Sequence, residues 1–181
     1  MENDILNEII SGCKNQNREA QHRLYEIYAK RMTALCFRYC GDRETARDLM
    51  HDGFIRIFSH IDEYSGVGNF EGWLRKIFVN VSLDFIRRNE AENNKIQLEV
   101  VENFTADKTS DFTENIDIEQ IMKAIGKLPT VARAVFNMYN IDGFSIEHIA
   151  NELKMTATAV RSQHLRAKQK LQIMLKSIYD F

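Results

Sequence analysis

Apolar residues recur along this chain at helical spacing, in blocks separated by glycine, serine and asparagine, and each block predicts a helix with one buried face. Asp4 to Ile10 carries Ile5, Leu6, Ile9 and Ile10, a short amphipathic helix closed by Ser11 and Gly12. Arg18 to Cys40 sets Leu24, Ile27, Tyr28, Met32, Leu35, Cys36 and Tyr39 on one face, with Gly41 suited to end that helix and Asp42 to cap the next. Over Arg43 to Ile61 the inner face is Ala46, Leu49, Met50, Gly53, Phe54, Ile57, Phe58 and Ile61. The outer face holds Arg47, Asp48, His51, Asp52, Ile55 and Arg56, an apolar side chain inside a polar rim, as on a helix that docks a partner.

The segment around which these helices are organised runs from Phe70 to Asn89. Phe70, Trp73, Leu74, Ile77, Phe78, Val81 and Phe85 form one wide stripe, and Val79, Leu83 and Ile86 a second on nearly the opposite side. Such a helix is covered from two sides. Between the stripes Lys76, Asn80 and Arg87 recur in a narrow seam, with Asp84 at its edge and Arg88 following. Taken alone, this is a solvated seam. Joined to Trp73 and to the preceding loop Asp62 to Asn69, whose glycines free its tip for close approach, it reads as a surface for nucleic acid.

After Arg88 the periodicity dissolves into an acidic, amide-rich connector, expected over residues 91–115, with an ordered loop and a short helix near Ile96 to Val101 as the alternative. A helix restarts over Ile116 to Ile125, and Pro129 precedes another at Thr130 to Tyr139. Ser145 then caps a short helix whose Ile149, Ala150 and Leu153 face inward. Thr156 caps a last helix with Val160, Ala167, Leu171 and Leu175 inside. Two helices joined by so tight a turn are a helix-turn-helix candidate. The outward positions of the last helix are Thr158, Arg161, Ser162, Leu165, Arg166 and Gln169. No acid occurs between Leu153 and Tyr179, where Lys154, Arg161, Arg166, Lys168, Lys170 and Lys176 are all basic. That is the electrostatic footprint of a helix in a major groove. A membrane-surface helix shares the charge pattern but not the capped helix before it. His164 points to the apolar side and reads as a rim or core histidine.

Composition narrows the class. One proline in 181 residues, and no alternating stretch, place the chain among all-α proteins: two small helical domains, 1–90 and 116–181, on a flexible acidic linker. A formal net charge of −2 supplies no global pull on polyanions, so nucleic-acid binding rests on local patches. With no basic leader and no bilayer-length apolar run, no membrane insertion is expected, and a cytoplasmic location is. Cys13, Cys36 and Cys40 suit a reducing compartment. Cys36 and Cys40, one turn apart, invite a metal site with His22 or His51, yet the spacing of a structural zinc knuckle is missing. No metal, cofactor or catalytic group is expected.

With both halves in view, the chain resembles a bacterial RNA polymerase sigma factor of the extracytoplasmic-function group. ARDLMHDGFIRIF is similar to the family's polymerase-clamp helix and FEGWLRKIFVNVSLDFIRR to its promoter-melting helix. LPTVARAVFNMYNIDGFSIEHIANEL with AVRSQHLRAKQKL is similar to its upstream-element reader. The resemblance implies core RNA polymerase and promoter DNA as partners, an anti-sigma factor as inhibitor, and no enzymatic activity. It implies docking through Asp48, His51, Asp52 and Ile55, and capture of the melted downstream element by Tyr64, Asn69, Trp73, Lys76, Asn80, Arg87 and Arg88. Upstream reading falls to Thr158, Arg161, Ser162, Leu165, Arg166 and Gln169, and the connector would thread the polymerase's RNA path. His51 stands where the family has glutamine, His148 where it has glutamate, and Ala159 where threonine is common, so promoter preference does not carry over. A stand-alone helix-turn-helix regulator explains only the second half. A metal-dependent hydrolase built on Asp48 and Asp52 lacks a ligand motif.

Overall fold

A computed structural model of the chain describes residues 2–96 and 118–179, and every regular element among them is helical. In order they are α1 (Glu2–Lys14), α2 (Arg18–Cys40), α3 (Arg43–His60), a 3-10 turn at Ile61–Glu63, α4 (Phe70–Ile96), α5 (Ile118–Gly126), α6 (Thr130–Phe136), a π turn at Asn137–Ile141, α7 (Ile146–Leu153) and α8 (Ala157–Tyr179). The described residues divide into two compact units, one ending at Asp84 and one beginning at Phe85, so the division falls inside α4, short of the expected boundary after residue 90. The expected connector lies outside the described residues from residue 97 onward.

In the first unit, caps set the helix ends. Asn17 accepts from the Ala20 amide to open α2, Gly41 ends it in the left-handed region at φ 78°, and Asp42 accepts from Thr45 N at 2.8 Å to open α3. Helix α1 runs a turn past Ser11 and Gly12, where the sequence suggested a stop. The added turn buries Cys13, and Gly12 comes so near Ala20 that a Cβ there would stand 2.6 Å from the alanine's own. Burial and close approach outweigh glycine's weak helix propensity. Ile27, expected inside, is 47% exposed. The core gathers Leu24, Tyr28, Leu49, Phe54, Ile57, Leu74 and Phe78, with the Phe54 and Phe78 rings edge to face at 5.4 Å. Both stripes of α4 are buried as expected, through Leu74, Phe78 and Val81 on one side and Val79, Leu83 and Ile86 on the other. The helix itself continues to Ile96, beyond the end of its apolar pattern and into the segment expected to open the connector.

In the second unit Ala124, Ile125, Leu128, Ala132, Ala167 and Leu171 form a core that Ile121, Met122, Phe136, Met174 and Leu175 close around. Arg133, a charge at a 7% exposed position, is satisfied by donating to Gly126 O at 2.6 Å and so ties α6 to the end of α5. Regular α geometry ends at Phe136 rather than Tyr139. There the chain widens into a π turn, closed by Asp142 N donating to Asn137 O at 2.9 Å, with Asn137 and Met138 both buried. Ser145 accepts from His148 N to open α7, Lys154 turns through the left-handed region at φ 53°, and Thr156 accepts from Ala159 N to open α8. This is the tight helix-turn-helix expected, with Ile149, Val160, Ala167 and Leu171 on its inner side.

Candidate functional site

Three exposed surfaces carry the residues that the sequence singled out. On α3, Asp48, His51, Asp52 and Ile55 all face solvent, Ile55 at 63% exposure, while Leu49, Met50, Gly53, Phe54 and Ile57 hold the opposite face in the core. The surface extends to α2. The Tyr25 ring lies parallel to the His51 ring at 6.4 Å, and the Tyr25 hydroxyl reaches His51 Nε2 at 3.5 Å. No periodicity within α3 could have revealed Tyr25, since the pairing spans two helices. Among the described residues no group of three or more histidine, cysteine or acidic side chains is placed to hold a metal ion. The cysteines do separate work: burial pushes the Cys13 thiol up to about 11 and the Cys36 thiol up to about 12, and Cys40 donates to Asp42 O at the α2–α3 corner.

The second surface joins the loop before α4 to the seam along it. Tyr64, expected to face a ligand, is instead 7% exposed. Its ring sits 5.0 Å from Phe70 and 5.5 Å from Trp73, and its hydroxyl donates to Gly68 O at 3.0 Å. A tyrosine at the root of a glycine loop gains more by burying its ring and hydrogen-bonding the loop's backbone than by standing in water. Asn69 accepts from Glu71 N at 2.9 Å, so its side-chain oxygen serves the start of α4. Trp73 is half-buried, Lys76 exposed, Asn80 and Arg87 half-buried and Arg88 exposed. The seam's only acid is engaged elsewhere: Asp84 accepts from Arg56 of α3 at 2.8 Å. The loop tip is Val67, 84% exposed between Gly66 and Gly68, whose φ values of 79° and 87° lie in the left-handed region.

On α8, Thr158, Arg161, Ser162, Leu165, Arg166 and Gln169 are all exposed, opposite buried Val160, Ala167 and Leu171. Leu165, at 56% exposure, is an apolar side chain among the exposed polar positions of this face. His164 is turned aside, as its position suggested: it is half-buried, 2.7 Å from Asn140 Oδ1, with its ring tilted against Tyr139 at 4.7 Å and stacked with Phe136 at 6.5 Å. Burial holds its ring below the ordinary histidine value, with Lys168 adding to the effect. His148 stacks on Phe144 at 4.7 Å, so the residue that replaces a capping glutamate packs on a ring. No described helix is long and apolar enough to cross a membrane.

A family model for Sigma-70 region 2 matches residues 24–92, and one for Sigma-70 region 4 matches residues 118–171. The ECF RNA polymerase sigma factor SigE of Mycolicibacterium smegmatis is 32% identical over 158 residues, which cover 82% of this chain and 58% of the relative. SigW of Bacillus subtilis is 25% identical over 184 residues, covering 96% of this chain and 98% of that one. The chain thus spans little more than half of the first relative and nearly all of the second. In fold it is similar to the sigma factor RpoE solved in complex with the anti-sigma factor NepR from Bartonella quintana, with a TM-score of 0.53 at 20% identity, covering 86% of this chain and 96% of that one.

Proposed function

The chain belongs to the extracytoplasmic-function sigma factors, and from that membership we propose that it binds core RNA polymerase and directs it to specific promoters to initiate transcription. The observation that carries this reading is the succession, on one chain, of a region 2 match and a region 4 match, each bearing an exposed face opposite its core. The first domain, to residue 90, docks through Asp48, His51, Asp52 and Ile55 of α3. The loop tip with Asn69, Trp73, Lys76, Asn80, Arg87 and Arg88 then receives the unpaired downstream strand, where stacking and phosphate contacts offset the cost of unstacking. The second domain, from residue 116, reads the upstream duplex through Thr158, Arg161, Ser162, Leu165, Arg166 and Gln169. The protein works in the cytoplasm, where polymerase and chromosome are. It contributes positioning rather than covalent chemistry, and an anti-sigma factor covers it until released, as NepR accompanies the similar RpoE. A stand-alone regulator would leave the region 2 match without a role.

Purified chain added to core RNA polymerase should yield discrete transcripts from a randomised duplex library, with a shared sequence upstream of each start. Core enzyme that gains no start-site selectivity from the chain would overturn the proposal.

A further inference from the structure

The loop between the 3-10 turn and α4 is held by contacts that the docking and recognition faces do not need. Lys14, the last residue of α1, donates from Nζ to the backbone carbonyl of Tyr64 at 2.6 Å, fifty residues away in sequence. Tyr64 N donates to Ile61 O at 3.1 Å, and its hydroxyl donates across the loop to Gly68 O at 3.0 Å. Its ring is locked between Phe70 and Trp73. Inside this frame Val67 N donates to Ser65 Oγ at 3.4 Å, while Asn69 closes the far end by capping α4. Nothing lies within 4 Å of the Cβ positions of Gly66 and Gly68. The root of the loop is therefore fixed from three directions and its tip, Val67, is open. A loop with two left-handed glycines keeps one shape only when its surroundings over-determine it. The one charged hydrogen bond in the frame comes from α1, a helix with no part in the surfaces described above.

We propose that Lys14 is a positioning residue for promoter opening: through the Tyr64 carbonyl it fixes the 65–69 loop so that Val67 meets one unpaired base of the downstream element. This rests on the sigma-factor reading and deepens it. The physical argument is pre-organisation. An apolar tip discriminates among bases only if it is held where the wrong base clashes or leaves a gap, and a loose loop meets every base equally well. A charge-assisted bond to a half-buried carbonyl holds that root more firmly than a neutral one.

The test uses full-length chain with core RNA polymerase, on a duplex promoter recovered from a randomised library by transcription with the wild-type protein, and on that promoter changed at single downstream-element bases. Permanganate reactivity of thymines reports opening. Lys14→Met keeps most of the stem and loses the donor. It should lower opening by about tenfold, the scale of one lost charged hydrogen bond, and should bring the ratio of opening between matched and changed promoters toward one. Lys14→Arg, which keeps a donor, should restore both. Tyr64→Phe, which removes only the hydroxyl tie to Gly68, should also flatten the ratio, and it answers the question if Lys14→Met does not fold. Wild-type opening and discrimination in Lys14→Met would overturn the proposal. So would a uniform loss of opening with discrimination intact, because a merely stabilising lysine predicts that result. A wild-type protein that opens no promoter at all would instead strike the sigma-factor reading.

Discussion

Gly53 of α3 packs flat against the ring of Phe78 on α4, so closely that a methyl group at Gly53 would overlap ring atoms. Phe78 is fully buried and meets Phe54 edge to face, so the ring has no open side to move into. The missing side chain is what lets α3 lie on α4.

Gly53→Ala should therefore destabilise the protein. Alanine's better helix propensity is worth about 1 kcal/mol in its favour, and overpacking a filled core costs about 1–3 kcal/mol. The overlap is with a rigid aromatic ring, so the penalty should win, and urea unfolding would show a net loss. Phe78→Leu in the same chain should recover part of it, because two residues in contact couple. Two independent, additive losses would show that the contact does not limit the packing.

Asp48 and Asp52 are exposed on the face of α3 opposite that contact. Reversing both to lysine should leave the melting temperature nearly unchanged, since surface substitutions stay within about 0.5 kcal/mol. Binding to core polymerase should fall by several kcal/mol through like-charge juxtaposition, if the partner surface is basic. A pull-down with core enzyme checks it. A folded double variant that binds core polymerase as the wild type does would move the docking face off α3.

Arg161 and Arg166 flank exposed Leu165 on α8. Alanine at each should cost about 1–3 kcal/mol in upstream-element affinity where the guanidinium reads a base, and should lower the salt slope by about one where it touches phosphate. Affinity measured across salt concentrations separates the two roles. Promoter use unaltered by both changes would remove α8 from the recognition surface.

His164 supplies a pH dependence whose sign is set by its surroundings. Burial, then Lys168, hold its ring below the ordinary value of 6.5. Its protonation therefore favours the unfolded chain. The stability that the neutral ring contributes is fully present above that ordinary value and is lost as pH falls through the lowered one. Circular dichroism during urea unfolding should show stability declining below about pH 6, and His164→Gln should flatten that decline. Equal slopes in both proteins would mean that other groups set it.

Among the described residues, the helical segments, most of their boundaries, the caps at Asp42, Ser145 and Thr156, and the two buried stripes of α4 were legible in the residues alone, because apolar period and capping chemistry are local properties of the chain. The exposed sets on α3 and α8 were legible for the same reason, each being the complement of a buried stripe. What tertiary structure decided lies where two distant segments meet. Tyr64 looks like a loop residue open to ligand until Phe70, Trp73 and Gly68 enclose it. Asp84 looks like part of a polar seam until Arg56 reaches it from another helix. Ser11 and Gly12 look like a stop until Ala20 and the burial of Cys13 carry α1 through them. Lys14, unmarked in its own neighbourhood, acquires a partner fifty residues on. Periodicity records which face of a helix is dry, and only packing determines which side chain of another segment keeps it so.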